Sequence, residues 1–151
     1  MGRPQMAGFT LLELIVVIFV ISLLLAILFP SFYGLEERGL KSDARQIASL
    51  LRYLNDSAIS TKVTYPLKFD LEEHTLSWKG PDGEKTEKFE SLDSLRLPSK
   101  GELKEGEITV FFGPLGIQES IAIHLKDDEE KGMTVALNSL SGRTKIMEDQ
   151  E

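Results

Sequence analysis

The amino-acid sequence predicts an α+β protein. One long N-terminal helix has a first half of transmembrane length and a second half packed on an antiparallel β-sheet domain. Three observations carry that prediction. Residues 9–29 form an apolar run that holds a single ionisable side chain, Glu13. Beyond it, Leu40, Ala44, Ile47, Leu51, Leu54 and Ala58 recur at steps of four and three, which is one stripe of a helix. From residue 62 onward, short alternating segments are separated by Gly, Pro and Asp turns, as half-buried strands are. The chain thus divides into a polar leader (1–8), a membrane helix (9–29), a helical continuation (30–61) and a β-rich domain (62–151).

Twenty-one residues at 1.5 Å each span roughly 31 Å, close to the thickness of a bilayer's hydrocarbon core. Glu13 lies about a turn inside that run. A charge within a membrane segment is costly and usually marks function, although one near the helix margin is also tolerated by reaching the interface. Pro30 removes one helical hydrogen bond and predicts a kink or a plain break at the membrane boundary. Phe32 and Tyr33 suit an interfacial aromatic belt, and Gly34 and Gly39 weaken the helix locally.

The stripe from Leu40 to Ala58 faces a core, with Lys41, Arg45, Arg52 and Asp56 opposite. Six heptad-spaced positions also fit a two-stranded coiled coil. The two alanines in the stripe, and the strands that follow and need a cover, favour packing on a sheet. The helix ends near Ser60-Thr61, since Val63-Thr64-Tyr65-Pro66 reads as extended.

Leu67, Phe69 and Leu71 alternate with polar residues. The segments around Thr75 to Trp78 and Thr86 to Phe89 flank Gly80-Pro81-Asp82-Gly83, where Pro fixes φ and Gly accepts φ > 0. Leu92, Leu95 and Leu97 precede Pro98 and a polar loop at 99–106. Ile108-Thr109-Val110-Phe111-Phe112 stops at Gly113-Pro114. Ile121, Ile123 and Leu125 alternate with polar or small residues, as do Met133, Val135 and Leu137, and a charged hairpin tip at 127–132 lies between them. A last strand runs from Arg143 to Met147.

The 151 residues carry 17 basic and 24 acidic side chains, a formal net charge of −7. Loss of Arg3 with the leader would take the mature chain to −8. Such a surface repels phosphate backbones, so general nucleic-acid binding is disfavoured. With no cysteine, disulfides and Cys-ligated zinc are excluded. The roughly 90 residues beyond the helix suffice for one small domain. The leader is not a conventional secretory signal: its small residue precedes the apolar run, and the run exceeds the usual h-region.

Gly8-Phe9-Thr10-Leu11-Leu12-Glu13 at the head of the apolar run resembles the leader site of type IV pilins and type II secretion pseudopilins. That resemblance implies cleavage by a prepilin peptidase between Gly8 and Phe9 and N-methylation of Phe9. It also implies pairing of the Glu13 carboxylate with the N-terminal amine of a neighbouring subunit. A buried carboxylate is tolerable only when paired, so such an ion pair would act as a register device. Pro30 stands at the family's spacing from Phe9 and implies the helix kink. Cations on both flanks, Arg3 against Arg38, Lys41 and Arg45, do not set the orientation; the resemblance implies a cytoplasmic leader and a periplasmic domain.

The soluble part resembles the GspH/FimT group of minor pseudopilins and minor pilins. The resemblance runs through residues 44–52, Ala58-Ile59-Ser60-Thr61, the Leu67 to Leu71 strand, Ile108 to Phe112 with Gly113-Pro114-Leu115-Gly116, and residues 133–146. At Asn55-Asp56-Ser57 the chain departs from the group's usual step. A GspH-like subunit would support protein secretion across the outer membrane from an inner-membrane-anchored pseudopilus. A FimT-like subunit would serve a type IV pilus or DNA uptake, through basic residues near the C-terminus, here Arg143 and Lys145. The nearby Glu148, Asp149 and Glu151 argue against a basic patch there, and a solvated edge strand explains both cations equally. Expected partners are the prepilin peptidase, other pilins or pseudopilins, and inner-membrane lipid, with no small-molecule substrate.

No catalytic constellation is visible. His74 and His124 lack metal-ligand spacing. Asp127-Asp128-Glu129-Glu130 lacks the alternating ligands and central Gly of an EF-hand loop and reads as a solvated turn. Gly113-Pro114-Leu115-Gly116 lacks the Lys of a phosphate loop. The sequence therefore predicts no enzyme, cofactor or metal.

Overall fold

In the computed structural model the described residues are 9–149, and the side chains of 25–38 fall outside that description. Helix α1 (Leu11–Thr61) opens at Thr10. The Thr10 hydroxyl accepts the Glu13 N–H at 3.2 Å, and the Thr10 carbonyl accepts the Leu14 N–H at 3.1 Å. The Thr10 hydroxyl therefore satisfies one of the donors that a helix start leaves orphaned, and its carbonyl accepts the first intrahelical bond. The chain divides into two units, Met1–Glu36 and Glu37–Glu151.

In the first unit the apolar residues from Leu11 to Leu24 are exposed all round the helix, with relative exposures between 41% and 77%. A helix apolar on every face needs a non-aqueous cover. Ser22 turns its hydroxyl back to the Ile18 carbonyl at 2.8 Å, so it projects no free donor. Among the described residues no helix is long and apolar enough to cross a membrane. The expected span continues into residues 25–29, whose side chains are outside the description.

In the second unit, Leu40, Ala44, Ile47, Leu51, Leu54 and Ala58 are all buried, between 0% and 4% exposed, and Arg45, Arg52 and Asp56 are exposed opposite. The helix stops where β-branched residues begin. Thr61 hydrogen-bonds back to the Ser57 carbonyl at 2.7 Å, and Lys62 takes a left-handed φ of 58°.

Ten strands follow: β1 (Tyr65–Asp70), β2 (Thr75–Gly80), β3 (Gly83–Lys88), β4 (Leu92–Leu97), β5 (Gly101–Leu103), β6 (Glu107–Gly113), β7 (Gly116–Ile117), β8 (Ile121–Lys126), β9 (Gly132–Leu137) and β10 (Thr144–Glu148). They form two antiparallel sheets, ordered β3-β2-β1-β6-β7 and β10-β9-β8-β4-β5. The helix stripe and the inner faces of both sheets share one core. This is the expected helix packed on antiparallel β-structure, split into two sheets because the chain changes layer after β3, β5 and β7.

The β8–β9 register pairs Ile121 with Leu137, Ile123 with Val135 and Leu125 with Met133, so all six fall on the core face. β5 lies within the segment expected to be a loop, paired to β4 through Arg96 opposite Glu102. β7 begins at Gly116, the last residue of the expected Gly113–Gly116 turn, and takes in Ile117. Both are short strands held by pairing with a neighbour, which local composition does not register.

Candidate assembly site

At the N-terminus, Gly8 and the rest of the leader lie outside the described residues, and so does the side chain of Pro30. Phe9 is 72% exposed just ahead of α1. Glu13 occupies the third helical position, where a carboxylate complements the positive helix end. Thr10-Leu11-Leu12-Glu13 is also the T-x-x-E pattern of a capping box, and the hydrogen bond from Glu13 N–H to Thr10 is half of it. That pattern was legible in the sequence and adds a local role for Thr10, which family resemblance alone does not assign.

A second feature was missed. Asn55, only 2% exposed, sits on the helix's core face. Its Oδ1 accepts the Ile117 N–H at 3.2 Å. A Cβ on Gly116 (φ +94°) would lie 3.1 Å from that same Oδ1, and a Cβ on Gly142 (φ +63°) would lie 3.0 Å from Nδ2. One buried amide therefore meets both the β6–β7 turn and the β9–β10 turn. Asn55 falls where the chain departs from the GspH/FimT pattern, but nothing local shows which turns it would meet.

Arg143 and Lys145 line a shallow groove with Arg96, on the outer face of the second sheet. The register explains the grouping: Arg96 lies opposite Ala122, Ala122 opposite Ala136, and Ala136 opposite Lys145. Two small residues thus form a floor between cations. Arg96 also approaches Glu102 at 4.0 Å. Glu102 is held below the usual carboxylate range, first by the hydrogen bond that Ser94 donates at 3.1 Å and then by Lys104, His124 and Arg96. Lys145 on the edge strand β10 and Arg143 in the turn just before it are both exposed, and they share a concave surface with Arg96.

The histidines do structural work. His74 Nδ1 meets the Leu92 carbonyl at 2.7 Å. His124 Nδ1 meets the buried Thr134 hydroxyl at 2.8 Å, and that hydroxyl donates to Asp149 at 2.8 Å. Asp127 accepts the N–H groups of Glu129 and Lys131, so the acidic tip is a self-capped turn. Among the described residues no group of three His, Asp or Glu is placed to hold a metal ion.

The prokaryotic N-terminal methylation motif matches residues 3–29. No curated protein matches the chain. Among solved structures, the minor pseudopilin EpsH from the type 2 secretion system of Vibrio cholerae is similar over 74% of this chain and 98% of that one, at 16% identity and a TM-score of 0.54. The type IV minor pilin FimU of Pseudomonas aeruginosa strain PAO1 is similar over 77% of this chain and 96% of that one, at 16% identity and a TM-score of 0.51. A second crystal form of FimU gives 14% identity and a TM-score of 0.52. The chain therefore has the type IV pilin-like fold, headed by a methylation motif. That fold is common to the minor pilin and the minor pseudopilin above.

Proposed function

We propose that this protein is a non-catalytic subunit of a type II secretion pseudopilus, GspH-like, which supports protein secretion across the outer membrane. A prepilin peptidase cuts between Gly8 and Phe9, Phe9 is N-methylated, and residues 9–29 anchor the chain in the inner membrane with the β domain in the periplasm. During assembly Glu13 pairs with a neighbour's N-terminal amine, and Pro30 kinks the helix as it leaves the membrane. The observation that carries this reading is the methylation motif heading a helix exposed and apolar on every face. Once in lipid or against sister helices, that surface is covered, and Glu13 is its one charge needing a partner.

The mature N-terminus tests the processing step. Mass spectrometry of the protein from its own cells should find N-methyl-Phe9 as the first residue. Intact residues 1–8 in cells that possess the peptidase would refute it. Glu13→Leu should leave cleavage possible but reduce incorporation into filaments.

The second reading is a FimT-like minor pilin, and the grouping of Arg96, Arg143 and Lys145 in one groove favours keeping it. A clean deletion separates the two. Lost secretion with normal piliation supports the pseudopilus; normal secretion with lost piliation or transformation supports the pilus, and salt-dependent DNA binding would then be sought.

A further inference from the structure

Leu115 and Leu140 are 96% and 97% exposed. Scattered surface leucines are ordinary, but these two are held in place. Leu115 adjoins Gly116, and Leu140 lies two residues before Gly142, so both stand on turns that meet the Asn55 amide. The Leu140 turn is tied further. Asn138 Oδ1 accepts the N–H groups of Leu140 at 2.9 Å and Ser141 at 3.1 Å, the Asn138 carbonyl accepts the Gly142 N–H at 2.8 Å, and Ser120 accepts the Ser139 N–H at 2.9 Å. Apolar side chains on preorganised turns lose little entropy on binding, which is how anchor residues work.

The groove of Arg96, Arg143 and Lys145 begins at the same turn, through Asn138 and Arg143. Glu102 stands 4.0 Å from Arg96 at one side of it, and the residues that line it include no carboxylate beside Arg143 and Lys145, in a chain of net charge −7. Leucine anchors beside a cationic groove match a surface with apolar sockets rimmed by carboxylates. The location also matters. Asn55 lies fifteen residues along α1 from Leu40, about 22 Å at helical rise. The leucine turns therefore sit at the end of the second unit away from where α1 enters it.

We propose that this end is a docking surface for the globular domain of a neighbouring pilin-like subunit, which receives Leu115 and Leu140 in apolar sockets and presents carboxylates to Arg96, Arg143 and Lys145. The proposal rests on the filament reading, in which other pilin-like subunits are the chain's neighbours.

The test uses the full chain in its own cells, with a photo-crosslinking benzoylphenylalanine at position 140 or, as a control, at position 84 on β3. Adducts are identified by mass spectrometry, while N-terminal processing and recovery in the filament fraction are scored in the same cells. The expected result is an adduct at position 140, not 84, with a protein that carries its own N-terminal methylation motif. Leu115→Glu combined with Arg143→Glu and Lys145→Glu should lower that adduct at least tenfold. All three positions are exposed, so Trp78 fluorescence in the purified chain should show an unchanged unfolding midpoint. A processed, incorporated chain without the adduct overturns the surface and leaves the filament reading standing. An adduct only with lipid, nucleic acid or a protein lacking the motif also overturns it. An unprocessed, unincorporated chain overturns both.

Discussion

Asn55→Ala probes how the helix organises the second unit. The substitution removes the acceptor of the Ile117 N–H and leaves that donor unpaired beside a residue only 4% exposed. An unsatisfied buried donor costs about 1–3 kcal/mol. The small void adds less than about 1 kcal/mol at ~24 cal/mol per Å³. Alanine recovers about 0.5 kcal/mol as the better helix former. The net expectation is a loss of about 0.5–3.5 kcal/mol, or roughly 2–15 °C for a unit of this size. The assay is denaturant unfolding of the full chain in detergent, followed by the chain's single tryptophan, Trp78, which is 8% exposed in the core. It reports the second unit without interference from the apolar helix.

A double-mutant cycle sharpens the test. Gly142→Ala alone carries left-handed backbone strain of about 1–2 kcal/mol and the 3.0 Å approach to Asn55. In the Asn55→Ala background the approach is gone and only the strain remains, so the two costs should sum to more than the double variant shows. An Asn55→Ala effect below about 0.5 kcal/mol, or strict additivity with Gly142→Ala, would refute the view that this amide pins both turns.

Four other substitutions read different parts of the structure. Leu51→Ala empties a fully buried position on the helix stripe and should cost about 2–5 kcal/mol by the same fluorescence assay, whereas Leu115→Ala should stay within about 0.5 kcal/mol. Gly39→Ala adds a methyl group into open space on a helical residue and should stabilise the second unit by about 0.5–1 kcal/mol. Ser94→Ala removes the main cause of the lowered Glu102 value. A depressed carboxylate contributes stability that is present above its unfolded value of about 4.3 and is lost as pH falls through the lower folded value. The gap in unfolding midpoint between wild type and Ser94→Ala should therefore be steady above about pH 5 and shrink in stronger acid; a gap unchanged down to pH 3 would exclude this linkage.

Local order determined much of this protein. The step of four and three from Leu40 to Ala58 is enough to place a helix and its buried face, because a period of 3.6 leaves no other regular structure able to gather those side chains on one side. The alternation of Ile121, Ile123 and Leu125, met by Met133, Val135 and Leu137, specified a hairpin and its register, since a slip by one residue would turn the apolar set to solvent. The motif from Gly8 to Glu13 was legible because its meaning lies in adjacent residues.

Tertiary structure decided what depends on residues distant in sequence. Ten strands sort into two sheets through changes of layer that no local pattern records, and the three-residue β5 and two-residue β7 exist only as partners of longer neighbours. Arg96 comes into one groove with Arg143 and Lys145 because β4, β8, β9 and β10 happen to pair in that order. Asn55 lies beside the apolar stripe and reads only as a departure from the group's usual step until the fold brings it two turns from different hairpins. Its role comes from hydrogen bonding across 62 positions of chain, and such contacts are fixed by how the layers close, not by the residues on either side.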